Sequence, residues 1–107
     1  MNKTDTTVLN YLFRYAIVGM ALLDIENRFI MVNKSLLQML GYTEDELVGK
    51  TWMSITHPDD LNMSMEYLLG HLKTPSADEI MEKRYLHKNG QPVYVRIRTN
   101  IFEFPQG

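Results

Sequence analysis

Few groups in this 107-residue sequence are placed to do chemistry. Gly49-Lys50-Thr51 matches the end of a phosphate-binding loop, in which backbone N–H groups and a lysine cradle phosphate. The full pattern needs glycine at position 44, where Glu44 stands, and a strand before it, where a helix is expected; helix termination accounts for Gly49 instead. His57, His71 and His87 fall at a helix start, a helix end and a hairpin, none with a second ligand at metal spacing in its own element. No zinc site is expected, and His57 reads as an anchor for the helix start through a ring hydrogen bond. Asp59 and Asp60 are adjacent carboxylates where a helix begins, and the helix dipole accounts for them. No Ser-His-Asp or paired-carboxylate arrangement is visible, so catalysis by this chain alone is not expected. Cysteine is absent, which removes disulfides, thiolate nucleophiles and covalent thiol–cofactor adducts together.

Composition narrows the partners further. A hydrophobic fraction of 45% with 22% charged residues is that of one ordinary globular domain with a modest core. The net charge of −2 favours neither nucleic acid nor an anionic membrane. No apolar run approaches the length needed to span a bilayer, and no signal-peptide pattern opens the chain, so a soluble, cytoplasmic setting is expected. Eight methionines point to a plastic, gap-filling core.

The elements that must hold these groups centre on residues 33–60. Asn33 is a good helix cap, Leu36, Leu37 and Leu40 supply an apolar face, and Gly41 stops the helix. Thr43 and Glu46 form a capping box for a second short helix ending at Gly49. Pro58 opens the longest helix, about Asp59 to Leu72, with Leu61, Met65, Leu68 and Leu72 as the stripe that should lie on a sheet; Gly70 marks its fraying end. Upstream, Asp5 to Tyr15 reads as an apolar helix capped by Asp5 or a following threonine, with Val8, Leu12 and Tyr15 on one face. Ile17 to Asp24 reads as a strand buried in the sheet, joined to Phe29–Val32 through a turn with Asn27 in the left-handed region. Lys73 to Ala77 is a loop. Glu79–His87 and Gln91 to about Phe104 form a second hairpin around Asn89-Gly90, and its second arm alternates strictly.

In this order the elements resemble a PAS domain, and the motifs are specific. The family's run of G, D, N, GY and EL-G is matched by Gly19, Asp24, Asn33, Gly41-Tyr42, Glu46-Leu47 and Gly49. Its HPDD motif is matched by His57-Pro58-Asp59-Asp60, and its E-x-R…K-D/N-G hairpin by Glu82, Arg84 and Lys88-Asn89-Gly90. Asn27 stands where the family usually has glycine. The resemblance implies an α+β PAS fold over residues 17–107, preceded by a flanking helix over 1–16. The family sheet has strand order 2-1-5-4-3, with the short helices and the long helix on one face. Its fifth strand is not recognisable here, so the domain is expected to continue past Gly107, to borrow a strand, or to pair its first and fourth strands directly.

The same resemblance frames function. It implies a sensory or regulatory module of a multidomain prokaryotic signalling protein, with a histidine kinase or cyclic-di-GMP enzyme as output domain. A small ligand would lie between sheet and helices, lined by Met20, Asn33, Leu37, Trp52, Met65 and Ile97. The missing cysteine excludes the flavin–cysteinyl subclass and the hydroxycinnamoyl chromophore. FAD would use Asn33 and Trp52, which otherwise cap a helix and fill the core. Haem would use His71, although the family's ligand position falls nearer Ser64; no cofactor at all is the leading expectation. The alternative is a ligand-free dimerisation module, pairing through Val8, Leu12, Tyr15 and the outer sheet face.

Overall fold

The computed structural model describes residues 3–74 and 80–100. The chain runs α1 (Lys3–Tyr15), β1 (Ala21–Leu23), β2 (Phe29–Val32), α2 (Lys34–Leu40), α3 (Glu44–Leu47), α4 (Leu61–Lys73), β3 (Ile80–Leu86) and β4 (Pro92–Arg98). Two single 3₁₀ turns, Met53–Ile55 and Pro58–Asp60, precede α4. The loop expected at Lys73–Ala77 extends, like the ends expected at Glu79 and Phe104, outside the described residues.

Local signals set the helix cluster. The Asn33 side chain accepts from Leu36 N–H, and Gly41 ends α2 at φ 80° with its N–H returned to Leu37 O. Thr43 and Glu46 close a complete capping box on α3. Asn27 takes φ 66°, and its carbonyl and side-chain oxygens accept from the Trp52 backbone N–H and indole Nε1–H, both at 3.2 Å. The residue in glycine's place therefore ties the first turn to the core. The core itself is Phe29, Val32, Leu40, Leu47, Trp52 and Ile55, with Leu36, Leu37, Leu61, Met65, Leu68, Tyr85 and Val93 packed around it. Each fully buried side chain of this kind stabilises by about 1.5–3 kcal/mol.

Among the described residues the sheet is built as two antiparallel hairpins, β1–β2 and β3–β4, with no ladder joining them. Backbone from the helix cluster covers one outer edge of each. Residues 49–52 bond along the start of β2, through Phe29 N–H to Lys50 O and Gly49 N–H to Phe29 O, both 2.9 Å. On β3, His57 N–H bonds to Arg84 O at 2.9 Å beside a Thr56–Tyr85 bridge. Among the described residues no strand pairs with the far edge of β1 or of β4, and direct pairing of these two does not occur.

That open edge corrects the first strand. Only Ala21–Leu23 is strand, while Ile17 and Val18 are 96% and 71% exposed. An apolar run reads as buried only where a neighbour covers it, and none of the described residues does. Upstream, α1 starts two residues before Asp5, which lies in its first turn and is not its cap. The α4 stripe is also corrected: Leu61, Met65 and Leu68 pack on the core, but Leu72 is exposed and the wholly buried positions are Ser64 and His71. Ser64 Oγ donates to Asp60 O, satisfying a hydroxyl on the buried side. The helix also continues through Gly70 to Lys73.

Candidate functional site

Asn33 is 1% exposed, and its carboxamide is fully engaged. Its Oδ1 accepts from Met20 N–H at 2.8 Å and Leu36 N–H at 3.2 Å, and its Nδ2 donates to Phe13 O at 3.0 Å and Val18 O at 2.9 Å. One side chain thus fastens the end of α1, the linker before β1 and the start of α2. A flavin seeking Asn33 would have to displace one of these backbone partners.

Trp52, Leu37 and Met65 meet at the core cluster. Trp52 also forms one wall of an arrangement that periodicity on β3 contains. Met81, Lys83 and Tyr85 alternate inward, and the Lys83 ammonium lies 4.4 Å from the ring centroids of both Trp52 and Tyr85. Lys83 Nζ donates to Thr56 Oγ1 at 3.0 Å, and that hydroxyl donates in turn to Trp52 O. Burial pushes the Lys83 ammonium down to about 8, opposed by the Asp60 charge, and burial pushes the Tyr85 phenol up. Two ring faces replace water around the cation. Of the remaining expected lining residues, Met20 is 46% exposed on the surface and Ile97 is half-buried on β4.

His71 is 2% exposed and stacks on Tyr67 with centroids 4.4 Å apart. Its Nδ1 lies 3.3 Å from Tyr67 O, while Nε2 has no hydrogen-bond partner among the described residues. A carbonyl only accepts, so Nδ1 is the donor to Tyr67 O, and Nε2 is the ring atom left for a ligand. A haem iron would have to reach that atom through the packing that covers the ring. His57 does anchor the turn before α4, its Nδ1 accepting from Asp59 N–H at 3.1 Å.

The HPDD segment and β3 form a clasp. Asp60 accepts from Arg84 N–H at 2.7 Å, Nε at 2.9 Å and Nη2 at 2.8 Å. The Arg84 hydrogen bonds hold the Asp60 carboxyl at about 2, while Asp60 raises Arg84 further above its ordinary range. At the far end, Lys88 N–H bonds to Leu40 O at 2.9 Å, and the Lys88 ammonium pairs with Glu46.

Two concavities of the described surface bear on binding. A shallow groove of about 540 Å³ beside β3–β4 is lined by Asp60, Glu82, Lys83, Arg84, Tyr94 and Arg96 among others; Asp60 pairs there with Arg84 at 2.8 Å and Glu82 with Arg96 at 3.4 Å, while Lys83 bonds to the Thr56 hydroxyl. A smaller cleft of about 290 Å³ between α1 and α2 is lined by Arg14, Tyr15, Val32, Lys34, Leu37 and Glu44. Leu37 is the one expected lining residue that faces a described cavity. No group of three or more metal-ligating side chains occurs among the described residues, and no described helix is long and apolar enough to cross a membrane.

The sequence model of the PAS fold matches residues 29–107. The chain belongs to the PAS family. This PAS domain is 35% identical over its whole length to a segment of the probable diguanylate cyclase DgcE of Escherichia coli (strain K12). Over 78% of its length it is 28% identical to the sensor histidine kinase TmoS of Ectopseudomonas mendocina. It spans only 10% and 8% of those two proteins. Among solved structures, a PAS domain from a two-component sensor histidine kinase superposes with a TM-score of 0.81 at 15% identity, covering 97% of this chain and 88% of that one. The domain is thus a sensory module of the kind carried by signalling proteins, not itself the catalytic part of one.

Proposed function

We propose that this PAS domain is the sensory or regulatory module of a multidomain prokaryotic signalling protein whose output is a diguanylate cyclase or histidine kinase. A small ligand or a partner biases the domain between two arrangements, and the flanking helix carries the change onward as a population shift. The observation that carries this reading is the attachment of α1. Asn33 fixes its C-terminal end to the core, while Val8, Leu12 and Tyr15 stay 50%, 58% and 51% exposed. Such a helix is held at one end and free to pair along its length. Native mass spectrometry of protein purified without refolding tests the ligand: a bound small molecule supports the sensory reading.

The second reading, a ligand-free dimerisation module, is favoured by the filled space under the helices, where Trp52, Leu40, Leu47 and Ile55 pack closely and Lys83 occupies the Trp52–Tyr85 gap. Both readings predict a homodimer through α1. Light scattering of Leu12→Asp should show a monomer of unchanged fold; a variant as dimeric as the parent rules that interface out.

A further inference from the structure

The cleft between α1 and α2 differs from every other concavity described in how its charges are disposed. Arg14 comes from the last turn of α1, Lys34 from the first residue of α2 and Glu44 from the first residue of α3. None of the three has an ion-pair partner among the described residues, so two cations and one carboxylate face a common space without neutralising one another. The floor is apolar, from the buried Val32 and the half-buried Leu37. Tyr15 forms a wall, with Arg14 and Lys34 standing 5.9 and 5.8 Å from its ring centroid. The groove beside β3–β4 contrasts with this, because both of its carboxylates are already paired, Asp60 with Arg84 and Glu82 with Arg96.

We propose that this cleft binds a free α-amino acid with an apolar side chain. Arg14 and Lys34 would receive its carboxylate, Glu44 its ammonium, and Val32, Leu37 and Tyr15 its side chain. A simple carboxylate would leave Glu44 facing another negative charge, and a simple amine would leave two cations facing a third. A zwitterion uses all three groups. The volume of about 290 Å³ is at the small end of ligand sites and suits an amino acid better than a nucleotide or a macrocycle. The cleft lies outside the enclosure between sheet and helices, so binding here does not depend on that enclosure holding a ligand. The sensory reading enters only in the consequence: the walls belong to α1 on one side and to α2 and α3 on the other, so occupancy would pin the flanking helix to the domain.

The test is titration of the intact domain with L-leucine, 4-methylpentanoate (no ammonium) and isoamylamine (no carboxylate), followed by calorimetry and backbone amide shifts. L-leucine should bind, with shifts confined to the end of α1, the start of α2 and Glu44, and with slower hydrogen exchange in α1. Each truncated analogue should bind at least about tenfold more weakly, as loss of one charged contact implies. Lys34→Gln and Glu44→Gln, both at exposed positions, should each weaken L-leucine about tenfold while folding normally. The proposal is overturned if 4-methylpentanoate matches L-leucine, if both variants bind as the parent does, or if L-leucine perturbs nothing at tens of millimolar. Shifts centred instead on Trp52 and Met65 would overturn it as well, while leaving the sensory reading intact.

Discussion

At position 33 a carboxamide supplies two acceptor and two donor directions to four backbone groups, and a carboxylate of the same shape supplies only acceptors. Asn33→Asp should therefore keep the bonds from Met20 and Leu36 but set negative charge against Phe13 O and Val18 O. We expect a loss of about 2–4 kcal/mol, with amide exchange accelerated in α1 and little changed in α2. Equal protection of α1 in both proteins would refute the attachment. The cap was legible because a cap is local; the contacts to Phe13 and Val18 are long-range, and no spacing rule encodes them. Lys83 was legible in principle, since it shares the inward parity of Met81 and Tyr85, but a lone lysine in a strand ordinarily faces water. Its titration is the consequence. The folded chain loses the Lys83 proton near pH 8 and the unfolded chain near 10.5, so between these the unfolded state binds more protons and stability rises with pH. Tyr85 acts in the opposite sense above its ordinary value of 10.0, because the folded state retains a proton that the unfolded one releases. Denaturant midpoints from pH 8 to 10 should show a Lys83-dependent gain of about 1–2 kcal/mol, below the full shift because solvent screens part of it. The gain is the parent's change with pH minus that of Lys83→Met, and equal slopes in the two proteins would refute it.

Among the elements, those specified by neighbours in sequence came out as their residues dictate, and those specified by absent or distant neighbours did not. Gly41, Thr43-to-Glu46 and Asn89-Gly90 each carry their own geometry, so α2, α3 and the β3–β4 hairpin fall where expected. Ile17 and Val18 have strand-like side chains but no strand beside them among the described residues, and apolarity alone cannot reveal that. Leu72 continues the leucine period of α4 into solvent, while Ser64 and His71 face inward, because the helix turns its smallest polar residue and its imidazole toward the sheet. Gly41 shows how two requirements meet at one element boundary. Its φ of 80° is costly for any residue with a Cβ, and a Cβ there would run into the His87 ring. Gly41→Ala should destabilise by about 2–3 kcal/mol in denaturant titration. Removing the ring with His87→Ala in the same chain should recover the steric part and leave about 1 kcal/mol of backbone strain. Strict additivity of the two substitutions would show that the ring is not in the way.

The molecule as a whole is two hairpins bound to one helix cluster. The β1–β2 side is fixed by Asn27, Trp52 and the 49–52 backbone; the β3–β4 side is fixed by the Asp60–Arg84 clasp, the Thr56–Lys83 bond and the Lys88 contacts with Leu40 and Glu46. With no described strand joining the two, β3–β4 depends on these fastenings more than a central hairpin would. Acid should loosen that side first. The Asp60 carboxyl titrates near 2 in the folded chain and near 3.8 when unfolded, and Glu46 shows the same depression toward 2 from 4.5 through its Lys88 hydrogen bond. A lowered folded pKa contributes stability that is complete above the unfolded value and disappears as pH falls through the folded one. Stability should therefore decline from about pH 4.5 to 2. Asp60→Asn keeps the shape but not the charge, and should flatten that decline while weakening the clasp at neutral pH. Hydrogen exchange locates the effect: in the variant, amides of β3 and β4 should lose protection ahead of those in β2 and α2, as for a unit that opens separately. Uniform loss across both hairpins would mean that the domain opens as one body and that the clasp is not its divide.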